Sequence, residues 1–243
     1  MPRPRCIAVV PVDVDDPTAP LGCAALRELR RRPLLLWAVD ALQSSGVPRE
    51  IVVAVPPALE KAVAQLLHIR QVPVEVPVVL LPVEADGPGH RLLAALRARP
   101  AGDAEVVVVH DPLHPLSPPS LVRDVVRDLL AAPGRAASIP SHAVTDTLKW
   151  VDQDQVVLGT ADREAYRMVH SPQAYRRDAL QDALSRAGDH ALRAHGCEVL
   201  PQLVGAGEGA VSLLPSGGEA LSIAREEDIV LAEALLDVAD GQA

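Results

Sequence analysis

Phenylalanine is absent from the 243 residues and aromatics of any kind reach only 2%, so the core has to be assembled from Val, Leu and Ala. Cysteine is scarce as well. Cys6, Cys23 and Cys197 are odd in number and form no CxxC pair, which excludes a disulfide framework and a thiolate metal site and fits a reducing cytoplasm. No stretch approaches the roughly 20 apolar residues of a membrane span, and the apolar run Cys6–Val10 near the amino terminus is too short for a signal peptide. The chain is therefore expected to stay in the cytoplasm, away from membranes. Positive charge is the remaining shortage. Only Lys61 and Lys149 are lysines and the formal net charge is -9, which argues against nucleic acid as a partner, because backbone affinity comes from basic side chains displacing counterions.

What is present is an alternation of short β-branched runs with longer amphipathic stretches, the pattern of repeated βαβ units in a mostly parallel sheet. Strands are expected at Cys6–Val12, Ile51–Val55, Val76–Leu81, Val106–Val109 and Ala136–Ile139. Helices are expected at Leu34–Ser44, Pro57–Arg70, His90–Arg99 and Ser117–Ala132, with Gly46 as a stop signal. Four consecutive valines suggest a strand covered on both faces. From Thr145 the rhythm changes: Thr147–Val151 and Val156–Gly159, separated by Asp152–Gln155, read as a hairpin leaving the main sheet. A helix at Arg176–Ala187, a strand at Glu198–Leu203 and a closing helix at Arg225–Val238 complete the reading, with Glu226, Glu227 and Asp228 placed where the helix dipole favours acids. The length fits one domain over residues 1–243. The Pro/Gly-rich segments Val12–Gly22 and Glu84–Gly89 follow strands, at the carboxyl edge where open α/β sheets bind ligands.

Two segments carry potential chemistry. His110-Asp111 ends the valine strand, where a carboxylate can hold a hard divalent cation over phosphates or simply close a turn with Pro112 or cap the following helix. Thr145-Asp146-Thr147-Leu148-Lys149 would, if extended, put Thr145, Thr147 and Lys149 on one face, a surface for a polyol phosphate or a solvent-facing hairpin strand. A metal site from His110, Asp111 and His114 is a further possibility. Hydrolase chemistry through Ser117 lacks a G-x-S-x-G turn.

Together with Arg32-Pro33-Leu34-Leu35, Ser171-Pro172-Gln173-Ala174-Tyr175 and Glu227-Asp228 before Leu231-Ala232-Glu233-Ala234-Leu235-Leu236, these segments make the chain resemble the 2-C-methyl-D-erythritol 4-phosphate cytidylyltransferase family over nearly its whole length. The resemblance implies a Rossmann-like nucleotidyltransferase fold with helices on both faces and a protruding β-hairpin arm within residues 145–172. It further implies a homodimer joined through that arm, and CTP with Mg²⁺ reacting with a sugar-alcohol phosphate to give a CDP-linked product in isoprenoid precursor synthesis. Asp111 becomes the metal carboxylate. Thr145, Asp146, Thr147 and Lys149 line the polyol-phosphate side, with Arg163 reaching across the dimer.

The first loop departs from the family pattern. Glycines, an arginine and a lysine are expected there, because attack on an α-phosphate needs N–H groups and cations around developing negative charge. Asp13 and Asp15 stand at the glycine positions, Pro17 at the arginine and Ala24 at the lysine. The family's Gly-Gly-x-x-Arg loop corresponds to Glu84-Ala85-Asp86-Gly87-Pro88, a later lysine to Ser222, and the arginine after His-Asp to His114; Arg27, Arg30, Arg31 and Arg91 are the nearby cations that could substitute. Like charges at about 4 Å repel by about 1 kcal/mol in water and more in a cleft, so Asp13, Asp15 and Asp16 are expected to oppose triphosphate binding. Two readings stay open: a diverged cytidylyltransferase, or a pseudoenzyme acting as a protein-binding or regulatory dimer.

Overall fold

The computed structural model describes residues 4–14, 16, 18–69, 76–99, 104–193, 199–205, 210–217 and 221–241. In chain order the elements are β1 (Cys6–Pro11), β2 (Glu28–Leu29), β3 (Arg32–Pro33), α1 (Leu34–Ser45), β4 (Glu50–Val55), α2 (Glu60–Ile69), β5 (Val78–Pro82), α3 (Pro88–Arg97), β6 (Val106–Val109) and α4 (Pro119–Leu130). They continue with β7 (Arg135–Ala143), β8 (Lys149–Val151), β9 (Val157–Thr160), β10 (Arg167–Val169), β11 (Gln173–Arg176), α5 (Arg177–Arg186), α6 (Asp189–Arg193), α7 (Leu200–Gly205), β12 (Ala210–Pro215) and α8 (Glu226–Gly241).

The main sheet runs β10-β7-β11-β6-β1-β4-β5, with β12 pairing β7. Strands β5, β4, β1 and β6 are parallel neighbours, whereas β11 runs antiparallel between β6 and β7, so the sheet is mixed around a parallel centre. Period-two alternation divides the apolar residues between two layers. Cys6, Ala8, Val10, Val53, Val106 and Val108 pack with α1 and α4, and Ile7, Val9, Val52, Val107 and Val109 pack with α3 and α5. Helices therefore cover both faces, which is why these strands read as unbroken apolar runs. Gly46 closes α1 at φ 66°, a left-handed cap. At the start of α8, Asp228 accepts from the backbone N–H groups of Ala224 (2.9 Å) and Arg225 (2.7 Å), and α8 packs on β2 and the residue 113–116 segment through Leu29, Leu113, Leu116 and Ile229.

Several expectations need correction. A strand is expected at Glu198–Leu203, but Leu200–Gly205 is helical, and Glu198 lies outside the described residues. Leu200 and Val204 are buried at i, i+4 spacing, so helical period outweighed β-branched content. Strands β10, β11 and β12 were not foreseen; β11 overlaps a segment read only as a motif. The hairpin β8–β9 does form a separate two-stranded sheet. Its first strand starts at Lys149, after a bend at Asp146, so the extended alternation expected for Thr145, Thr147 and Lys149 is not realised. No helix among the described residues is long and apolar enough to cross a membrane.

Candidate functional site

The loops that leave the carboxyl ends of β1, β4 and β5 line an open cavity of about 670 Å³. Asp13 and Val14 form one wall and Glu84 to Gly87 another, with Arg91 and Arg193 between them. The two segments expected to form a cleft are thus brought together. Arg91, in the first turn of α3, has only 3% of its side chain exposed. Its guanidinium donates to Ala85 O (2.7 Å) and Gly87 O (3.2 Å) and pairs with Asp13, so one arginine fastens the β1 loop to the β5 loop. Gly87 has φ 88°, and a Cβ there would lie 2.6 Å from Arg193 Cα. That close approach lets α6 form the far wall, where Arg193 bonds Asp86 at 2.9 Å.

The acidic loop is not a row of bare carboxylates. Asp16 accepts from Thr18 Oγ1 (2.6 Å) and Thr18 N (2.9 Å) and pairs with Arg27. The Thr18 hydrogen bonds, aided by the Arg27 charge, hold its carboxyl below the ordinary range. Asp15 and Pro17 lie outside the described residues. Ala24 is buried in a short turn, so the expected lysine position faces the interior and supplies no cation.

At the end of β6 the backbone passes into a second cluster. His110 continues the parallel ladder, its N–H bonding Val9 O at 3.0 Å. The Ser171 hydroxyl accepts from Asp111 N (2.7 Å) and meets His110 Nδ1 at 2.8 Å, and Ser117 Oγ donates to Ser171 O (2.7 Å). Ser171 therefore ties β6 to the segment leading into β11. Asp111 Oδ1 accepts from Leu113 N at 2.9 Å, which is the turn-closing role, and Oδ2 lies 4.0 Å from His114 Nδ1. Burial pushes the Asp111 carboxyl up, partly offset by the Leu113 N–H. Burial also pushes His110 down to about 3, with a smaller contribution from His114, and His114 down to about 4. Both rings are neutral at pH 7. Among the described residues no three His, Cys, Asp or Glu side chains gather as a metal site, so the trio His110, Asp111 and His114 is not assembled as one.

The expected polyol-phosphate residues sit on the arm. Lys149 Nζ donates to Thr160 Oγ1 (2.7 Å) and Arg163 to Thr145 O (2.6 Å), so they brace one another. Thr145, Asp146 and Thr147 are exposed, and no described residue lining the cavity comes from the arm. The arm exposes an apolar surface: Trp150 at 60%, Val157 at 58% and Leu158 at 69%.

A profile of the 2-C-methyl-D-erythritol 4-phosphate cytidylyltransferase family matches residues 22–238. The chain belongs to this family. Within it, the Frankia casuarinae protein of that name is 38% identical over 96% of this chain and 82% of its own length. The Saccharopolyspora erythraea protein is 37% identical over 87% of this chain and 90% of its own. The crystal structure of the Thermus thermophilus cytidylyltransferase superposes with a TM-score of 0.69 at 27% identity, covering 95% of this chain and 98% of that one. The fold is accordingly the α/β nucleotidyltransferase fold; the family profile begins at residue 22, beyond Asp13 and Asp16, whereas the Frankia protein aligns over 96% of the chain. Sequence reasoning passed over Ser171 as the support of Asp111, and it named Arg91 only as one of several spare cations. The Ser-Pro-Gln motif pointed to the first; nothing in the α3 pattern marks Arg91 as buried.

Proposed function

We propose that this chain is a cytoplasmic cytidylyltransferase acting on CTP and 2-C-methyl-D-erythritol 4-phosphate. The observation that carries the reading is the 670 Å³ cavity at the carboxyl edge of the parallel strands, between the loops after β1 and β5, in a chain of this family. A phosphate oxygen of the polyol phosphate attacks the α-phosphorus of CTP, the bond from that phosphorus to the bridging oxygen breaks, and pyrophosphate leaves. Asp111 is the candidate Mg²⁺ ligand that the family resemblance implies, although it is not among the residues lining that cavity: one carboxylate oxygen is held by Leu113 N–H and the other lies 4.0 Å from His114 Nδ1, and Mg²⁺ is commonly held by one or two carboxylates with phosphate and water completing its shell. When bound, the ion would neutralise charge developing on the phosphates. Thr145, Asp146, Thr147, Lys149 and Arg163 are the arm's candidates for the polyol phosphate, delivered across a homodimer. The apolar surface at Trp150, Val157 and Leu158 favours that second copy as its cover.

Pyrophosphate release from CTP, 2-C-methyl-D-erythritol 4-phosphate and Mg²⁺ checks this directly. The natural chain is expected to release it and Asp111→Ala to lose release by a hundredfold or more, on the order of 3 kcal/mol. A folded natural chain that releases none at saturating substrates would sink the reading. The non-catalytic alternative, favoured by the buried Ala24 where a lysine is expected, would then stand.

A further inference from the structure

Arg91 is better provided with donors than with acceptors. A guanidinium has five N–H groups; here Nη1 is taken by Ala85 O and Gly87 O, and Nη2 meets Asp13 Oδ1. Nε is buried with no hydrogen-bond partner. The Nε and Nη2 groups form the edge on which arginine takes a carboxylate or phosphate with two parallel bonds. Asp13 covers that edge with one oxygen, and the same Oδ1 also accepts from Val14 N at 2.8 Å. The pairing is therefore incomplete on the arginine side. Asp13 is also the more exposed partner, 21% against 3% for Arg91, and it belongs to an irregular loop, whereas Arg91 is fixed by two backbone carbonyls. The other lining arginine, Arg193, is committed to Asp86 and Asp189. Arg91 thus lies in the first turn of α3, a helix with no side-chain cap at its amino end, where the dipole also favours an anion.

We propose that Arg91 is a phosphate-binding group of this cavity and that Asp13 is its internal stand-in, holding the guanidinium until a phosphate oxyanion takes its place. The inference rests on the nucleotide reading of the cavity and names a residue that performs it. It also accounts for an aspartate in a loop meant for phosphates: the carboxylate keeps a buried cation paired while the cavity is empty. Exchange conserves charge pairing, because the incoming phosphate replaces one anion by another on the same edge.

Calorimetric titration with inorganic tripolyphosphate, run in parallel with CTP, tests the exchange on the natural chain, Asp13→Asn, Arg91→Gln and the double variant. Thermal melting of each sample confirms folding, and Asp13→Ser replaces Asp13→Asn if the latter does not fold. Asp13→Asn is expected to bind tripolyphosphate about tenfold more tightly or better, as the loss of a competing charged hydrogen bond implies. Arg91→Gln is expected to weaken it similarly, and the gain from Asp13→Asn should vanish in the Arg91→Gln background. An unchanged or weaker Asp13→Asn overturns the proposal. So does a gain that persists without Arg91, since that would be a general charge effect. A tripolyphosphate gain without CTP binding upholds the exchange and rejects the nucleotide reading, whereas CTP binding indifferent to both substitutions does the reverse.

Discussion

Ser171 has more influence on the candidate site than its size suggests, because one hydroxyl orders both the Asp111 backbone and the His110 ring. Ser171→Ala leaves two buried polar groups short of a partner and is expected to lower unfolding free energy by about 1–3 kcal/mol; Ser171→Thr should retain most of it. Urea denaturation of the two variants separates these outcomes. The neighbouring rings also set an acid limit. His110 and His114 titrate at about 3 and about 4 in the fold against about 6.5 when unfolded. The unfolded chain therefore binds protons that the folded one refuses, and stability present above about pH 6.5 is lost as pH falls toward 4. Asp111, pushed up, acts in the opposite sense but is one group against two. Denaturation midpoints between pH 7 and pH 4.5 should fall, and His114→Gln should make that fall shallower. A midpoint independent of pH in this window would show the rings to be solvated.

Secondary elements succeed or fail here by what approaches them. Gly46 and Gly87 both have positive φ, at 66° and 88°, yet only Gly87 is crowded, by Leu192 and Arg193 of α6. Gly46→Ala is therefore expected to lose about 1–2 kcal/mol from backbone strain alone. Gly87→Ala combines strain with a displaced helix, and a loss of about 3 kcal/mol or more is expected by the same denaturation measurement. Strands β8 and β9 present the reverse situation, an element with too little against it. Two strands with an exposed Trp150, Val157 and Leu158 are marginal alone in water, so a second copy is the expected support. If the proposed dimer forms, Leu158→Glu should give a monomer in sedimentation equilibrium, while a natural chain that is monomeric at micromolar concentration would remove the arm's proposed role.

For the whole molecule, the chain keeps the family scaffold, and its loop after β1 carries Asp13, Asp15 and Asp16. The parallel centre and its two helical layers were legible from the sequence, because a strand buried on both faces must be apolar at every position and a helix at every third or fourth. Val106 to Val109 could scarcely be anything else. The motifs His110-Asp111, Thr145 to Lys149 and Ser171 to Gln173 likewise identified the family from residue order alone. Composition also determined that carboxylates, not lysines, occupy the loop after β1. What only the tertiary structure decided was how that charge is disposed. Arg91 is 78 residues from Asp13 and Arg27 is 11 from Asp16, and no local pattern says that Arg91 is buried and Arg27 part-buried, or that each has an aspartate as its counterion. Strand β11 was hidden for a related reason: its place between β6 and β7 depends on pairing with Val106–Val109 and with Ala137 and Ser138, all far earlier in the chain. Periodicity records which face of an element is dry, whereas the pairing of charges and strands across the chain depends on distances that sequence separation does not encode.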